Sequence, residues 1–424
     1  MIAYFRGLWM LVSRSLRSHL LSTSITIMST ALATGLVMAV FAVSLQSRNA
    51  FAGGPLGFDA VLGARGSQLQ LVLNVVFHLE TSPGNIPWQM YTDLQADKRV
   101  ELAIPYALGD NYRGYRIVGT SEELFTKFEY EKGKLFEFEP GSRAFDARRR
   151  EAVIGARVAR ETGLKVGSHF NPSHGLERNL VEEHTHEEEF VVCGVLKNSN
   201  TPNDRVIWIP VEGVYRMSGH KLRGSGEEYV PQDGATIDDE HKELSAVLLK
   251  LKGRGTGFQL ANQYNRSGKQ ATLAWPIGAS MAELLDKMGW VNRILEFVAY
   301  LVMMVASGSI LASLYNTMNE RSREFAILRS LGARKSTVFG VILLEAQAIA
   351  LLGSVVGYGV FAAILLGASA IVRDQTGVTL DVWVWHDAFV WTPLGMLFAG
   401  GIAGILPALK AYSTDVAMTL SRDK

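Results

Sequence analysis

Two histidines two residues apart, His184 and His186, stand among Glu182, Glu183, Glu187, Glu188 and Glu189, with His174 nearby. In an extended backbone, residues two apart share a face, so both imidazoles can meet one ion. Imidazole with carboxylate is a donor set that suits zinc. His174, His184 and His186 are therefore the candidate metal ligands. The competing reading is a solvated acidic loop, because a short His-rich tract is compositional evidence only.

A different chemistry is concentrated between two apolar runs, residues 294–314 and 338–371. There the chain carries Glu320, Arg321, Arg323, Glu324, Arg329, Arg334 and Lys335. Arginine is expensive in hydrocarbon, so these side chains face water or an acidic partner. Phe325, Leu328 and Leu331 recur at three-residue spacing, with Ile327 beside them, which gives one apolar stripe. Gly332 follows the last periodic residue, where a C-cap glycine is expected. The segment reads as a short helix at the cytoplasmic surface that docks into another protein. A loop serving topology alone would need the charge but not the stripe. Glu345 lies about two turns into the next apolar run, where a carboxylate costs about 2.5–3.5 kcal/mol. It either pairs with Arg334 or Lys335 at the headgroup level or carries protons.

Other chemistries find no motif. GxxxxGK[ST] is absent, since Gly268-Lys269 is followed by Gln270, so ATP and Mg belong to a partner chain. GxSxG and HExxH are absent too, and the chain reads as non-catalytic, with zinc the one candidate cofactor of its own. Cys193 is the single cysteine, which rules out a disulfide within the chain. A net charge of +1 gives no signal for nucleic acid.

These residues need elements to hold them. The chain has 424 residues, 48% hydrophobic and 20% charged, a mixture expected of a few spans plus a water-exposed domain. Residues 1–21 form an amphipathic basic helix, with Arg6, Arg14 and Arg17, apt for an anionic membrane surface. The alternative is the n-region of a signal peptide, but residues 22–45 are long enough to span. Residues 46–285 alternate strand-like and helical patterns and form a large α+β domain. Residues 286–316 hold a stalk, read as one continuous helix, and the second span; 317–337 hold the coupling helix. The third span is 338–371, the fourth 388–409, and 410–424 form a tail. The fold class is thus an α-helical membrane protein of four transmembrane helices, with the α+β domain outside, between spans one and two. Basic residues gather before span one, between spans two and three and after span four, so the positive-inside rule puts both termini in the cytoplasm.

The stretch ERSREFAILRSLGARKSTVFGVILLEA resembles the coupling region of FtsX-like permeases, the membrane subunits of MacB-type ABC transporters. Glu324, Ala326, Leu328, Arg329, Gly332 and Ala333 match the family pattern E-x-A-x-L-R-x-x-G-A. GILPALKAYSTDVAMTL resembles the closing signature through Pro407, Ala411, Asp415 and Leu420. The resemblance implies a MacB-like periplasmic core domain and a bacterial inner-membrane location. It implies a separate ABC ATPase received by Glu320, Arg321, Arg323, Glu324, Arg329, Leu331 and Gly332. It also implies a second permease, expected as a homodimer, among membrane lipids and with a possible periplasmic partner. ATP hydrolysis would then drive the external domain by mechanotransmission. The cargo would be a lipoprotein, a hydrophobic compound or a metal-linked substrate. An FtsX-like regulatory complex acting on a cell-wall hydrolase is the alternative. Gly353-x-x-x-Gly357 and Gly400-x-x-x-Gly404 allow close helix approach, either between permeases or within one chain.

Overall fold

The computed structural model describes residues 2–48, 57–131, 133–175, 185–218, 222–223, 237–268, 270–287, 289–376 and 380–413. It divides into two compact units. One comprises Met1–Ser47, Met288–Ile371 and Leu380–Lys424, and the other Arg48–Lys287 with Val372–Thr379. The expected continuous stalk turns on Met288, which lies outside the described residues.

In the first unit, four helices are long and apolar enough to cross a membrane by length and composition. They are Leu20–Arg48, Gly289–Glu320, Lys335–Thr376 and Ala388–Ser413. The third has 42 residues. At 1.5 Å per residue that is about 63 Å, roughly twice a bilayer's hydrocarbon core. Their shared core joins Ala33, Ile310, Ala346, Ile349 and Met396. Pro393 and Pro407 lie inside the fourth helix.

Both GxxxG patterns are used within the chain. A Cβ on Gly353 would lie 2.5 Å from Thr30 Cβ, and one on Gly357 would lie 2.9 Å from Thr34 Cβ. Thr30 and Thr34 each donate their hydroxyl to the carbonyl four residues back, at 2.8 Å. With the hydroxyls satisfied inside their own helix, the methyl-bearing faces are free to pack on glycine. Gly400 and Gly404 approach Ala350 and Ala346 in the same way.

The N-terminal helix, Ile2–Ser18, buries Leu8 and Val12 against Val341 and Ala348 of the third long helix. That face was expected to lie on lipid; it packs on protein. Trp9 and Met10 stay exposed.

The second unit is built on a ten-stranded mixed sheet. In chain order its strands are β1 (Ala60–Ala64), β2 (Val100–Tyr112), β3 (Tyr115–Thr120), β4 (Glu151–Ile154) and β5 (His169–Phe170). They continue as β6 (Ser173–His174), β7 (Phe190–Val195), β8 (Ile207–Pro210), β9 (Ala246–Leu251) and β10 (Ala271–Ala274). The order is β10-β1-β9-β2-β3-β8-β4-β7-β5, with β6 added to β2. Pairs β3–β8 and β4–β7 are parallel and the rest antiparallel, as an α+β domain requires. Side chains alternate across the sheet. Leu62, Ile207, Ile209, Val247 and Leu249 face one core with the helix Trp88–Ala96. Val61, Trp208, Ala246 and Leu248 face another with the helix Gln68–Val75. Apolar residues on both faces explain why the strand runs read as nearly continuous hydrophobic stretches.

Candidate functional site

The charged segment forms a helix at Ser322–Ser330. Its end is a Schellman turn: Ala333 N–H donates to the Leu328 carbonyl at 3.0 Å and Gly332 N–H to the Arg329 carbonyl at 3.1 Å. Gly332 takes φ +98°, a conformation that favours glycine, so the C-cap expectation holds. Phe325 and Ala326 are buried and Leu328 packs beside them. Their partners include Met318, Val338, Ile342 and Ala408.

Leu331 departs from the expected stripe, being 80% exposed. It follows the last helical residue, where helical periodicity no longer sets side-chain direction. Arg323, Ile327 and Leu331, four residues apart, are all exposed instead. Glu324 and Gly332 are exposed as well, and Arg329 is half-buried.

Arg321 takes the second of its two expected surroundings, acidic groups rather than water. It is 9% exposed. Its Nη1 donates to Ser15 Oγ at 2.5 Å, and Ser15 Oγ donates to Glu345 Oε1 at 2.7 Å. Arg321 Nη1 lies 3.9 Å from Glu345 Oε2, its Nε donates to Glu324 at 2.9 Å, and its guanidinium stands 5.1 Å over Phe325. Glu345 therefore answers to Ser15 and Arg321, not to Arg334 or Lys335. The cost of a buried carboxylate is offset by a cation from the preceding turn and a hydroxyl from the N-terminal helix. Glu320 lies outside this network, 3.3 Å from His19. Three elements far apart in sequence are thus tied at the base of the helix Ser322–Ser330.

In the other unit, His174 and His186 converge, and Asp110 completes the group. His184 lies outside the described residues. Sheet register does the positioning. Asp110 on β2 is the cross-strand partner of His174 on β6. Ser173 bridges Thr185, and His186 N–H donates to the Pro172 carbonyl at 2.9 Å, which brings His186 alongside. The β2–β3 ladder shifts register between Leu108 and Asp110, and such a bulge re-aims side chains.

His186 Nε2 lies 3.0 Å from Asp110 Oδ1, His174 Nδ1 lies 3.1 Å from the same oxygen, and the two nitrogens are 3.2 Å apart. His186 Nδ1 lies 2.9 Å from the Ser218 carbonyl. Asp110 is 1% exposed and His186 is buried, whereas His174 reaches solvent. Burial alone would lower the His186 pKa, but the hydrogen bond and charge of Asp110 and the Ser218 carbonyl outweigh it and hold it above the usual imidazole value. Sequence reasoning missed Asp110. The signal was a charged residue inside an apolar strand, but Gly109-Asp110-Asn111 reads as turn chemistry.

Against known proteins, residues 23–252 match the MacB-like periplasmic core domain and residues 296–416 the FtsX-like permease C-terminal region. The chain is 28% identical over 286 residues to a macrolide export ATP-binding/permease protein MacB of Rhodospirillum rubrum, covering 64% of this chain and 38% of that protein. It is 24% identical over 285 residues to a pyoverdine export ATP-binding/permease protein PvdT of Pseudomonas fluorescens, with the same coverages. It is 26% identical over 240 residues to an uncharacterized ABC transporter permease YknZ of Bacillus subtilis, covering 52% of this chain and 57% of that one. The chain thus spans well under two thirds of these relatives' length. Among solved structures, the periplasmic region of MacB from Actinobacillus actinomycetemcomitans is similar at TM-score 0.32 and 10% identity, covering 54% of this chain and 94% of that chain.

Proposed function

Because the chain belongs to the MacB-like family of ABC transporter permeases, with an FtsX-like C-terminal region, we propose that it is a non-catalytic membrane subunit driven by an ATPase on another chain. Components of this family are permeases. The relatives' names join an ATP-binding part to the permease, and this sequence has no phosphate-binding loop of its own.

One observation carries the reading. The helix Ser322–Ser330 is fastened on one side through Arg321 to Ser15 and Glu345, and offers Arg323, Ile327 and Leu331 on the other. A push on the exposed side is passed to the N-terminal and third long helices by a buried polar contact. Two arrangements of such a contact, biased by ATP on the partner, are what mechanical coupling needs. The relatives' names support export of a small molecule as the task, with both termini of this chain in the cytoplasm of a bacterial inner-membrane homodimer.

The test is affinity purification in mild detergent with an ATPase assay. A Walker-motif ATPase should copurify with the wild type and be lost with Ile327→Asp/Leu331→Asp, whose helicity and melting should not change. Copurification at wild-type levels with the double variant would place the docking surface elsewhere. Recovery of the wild type alone, with no ATP turnover, would remove the engine from the mechanism.

A further inference from the structure

We propose that Asp110, His174 and His186 form a zinc-class divalent-metal site in the external unit, with one coordination position open to exchange.

The triangle of donor atoms has sides of 3.0, 3.1 and 3.2 Å. Three ligands on one face of a tetrahedron, with bonds of about 2.0–2.2 Å, stand about 3.3–3.6 Å apart. An expansion of a few tenths of an ångström seats the ion.

The protonation pattern points the same way. Histidine ligands commonly donate their second ring N–H to a carbonyl or carboxylate, which fixes the tautomer. His186 Nδ1 faces the Ser218 carbonyl at 2.9 Å, a pure acceptor. A metal ion takes the place of the proton that the Asp110–His186 hydrogen bond holds, across the same 3.0 Å, while Nδ1–H stays on the Ser218 carbonyl.

The fourth position has an outlet. His174 belongs both to the triangle and to the wall of a cavity of about 420 Å³, which Asn85, Tyr215, His241 and Glu243 also line. Structural zinc sites are closed by four protein ligands; three ligands with an open position admit water or an exchangeable ligand. The imidazole–carboxylate donor set favours zinc or another borderline ion over calcium or magnesium. The site binds a metal ion taken up from outside and releases it again.

The experiment is zinc titration calorimetry on the full chain in detergent, freed of metal by chelator and carrying no polyhistidine tag, with cobalt(II) absorption as a second probe. The wild type should take up one zinc per chain and give the visible bands of cobalt in a low-coordinate nitrogen/oxygen site. Outer-shell changes weaken metal sites roughly 10–100-fold, so loss of a ligand in His186→Ala or His174→Ala should weaken zinc by more than about 100-fold. The buried His186 variant can fail to fold. The solvent-reaching His174 variant, checked by circular dichroism, then decides. No zinc uptake by the wild type, or wild-type affinity in folded His174→Ala, overturns the site. No ATPase is present in this assay, so its failure leaves the permease reading intact, and loss of ATPase coupling leaves the metal site intact.

Discussion

Both units bury carboxylates among other polar groups, and Glu345 and Asp110 are held in different ways. In the helical unit Glu345 has a cation from its own chain, Arg321, linked through the Ser15 hydroxyl. In the sheet-built unit Asp110 faces two imidazoles whose nitrogens are Lewis bases unless protonated. The first group is closed: the carboxylate is met by a guanidinium and a hydroxyl of the same chain, and a buried pair of that kind ties elements together. The second sets the carboxylate among imidazoles, whose charge depends on a proton. Location does not explain the contrast. Glu151, also in the sheet-built unit, is closed like Glu345, bonded to Arg143 at 2.6 Å through both oxygens.

The largest effect that separates the two is expected from Arg321→Ala. Removing one partner of a buried pair costs about 3–5 kcal/mol, so unfolding in detergent should move to markedly lower temperature and chelator should change nothing further. A shift below about 1 kcal/mol would mean that Glu345 is not held by Arg321. Ser15→Ala removes only the linking hydroxyl and should cost about 1 kcal/mol, the usual net worth of a hydrogen bond. Equal losses in the two variants would make the link, not the charge, the fastening element. The smallest effect concerns Glu151. The Arg143 hydrogen bond holds its carboxyl below the ordinary range. That stabilisation is present above the unfolded-state value and fades as pH falls through the lower folded-state value. Glu151→Gln should therefore flatten the acid limb of the external unit's stability curve, with or without zinc. An acid limb unchanged in Glu151→Gln would assign the loss to other carboxylates.

Much of the fold was legible because its signals are local. Apolar runs of sufficient length mark the long helices, and short, nearly continuous apolar runs mark strands such as β4 and β9. Gly332 was readable because only a left-handed turn wants glycine there. Leu331 was misread because periodicity was extended one residue past the helix. For Arg321 the choice between water and an acidic partner stayed open, because sequence shows charge but not what stands opposite it. The site lost Asp110 for a related reason: its partner His174 is 64 residues away, and only the register of β2 with β6 brings them together.

By itself, then, the sequence determined four apolar helices, an α+β domain between the first two, a charged capped helix between the second and third, and a local surplus of histidine. These follow from composition and short-range spacing. Tertiary structure decided which arginine turns inward, that both GxxxG faces pack within the chain, and which three residues form the donor triangle. Those depend on side chains that meet across long separations, where burial cost and sheet register, rather than propensity, choose the partner.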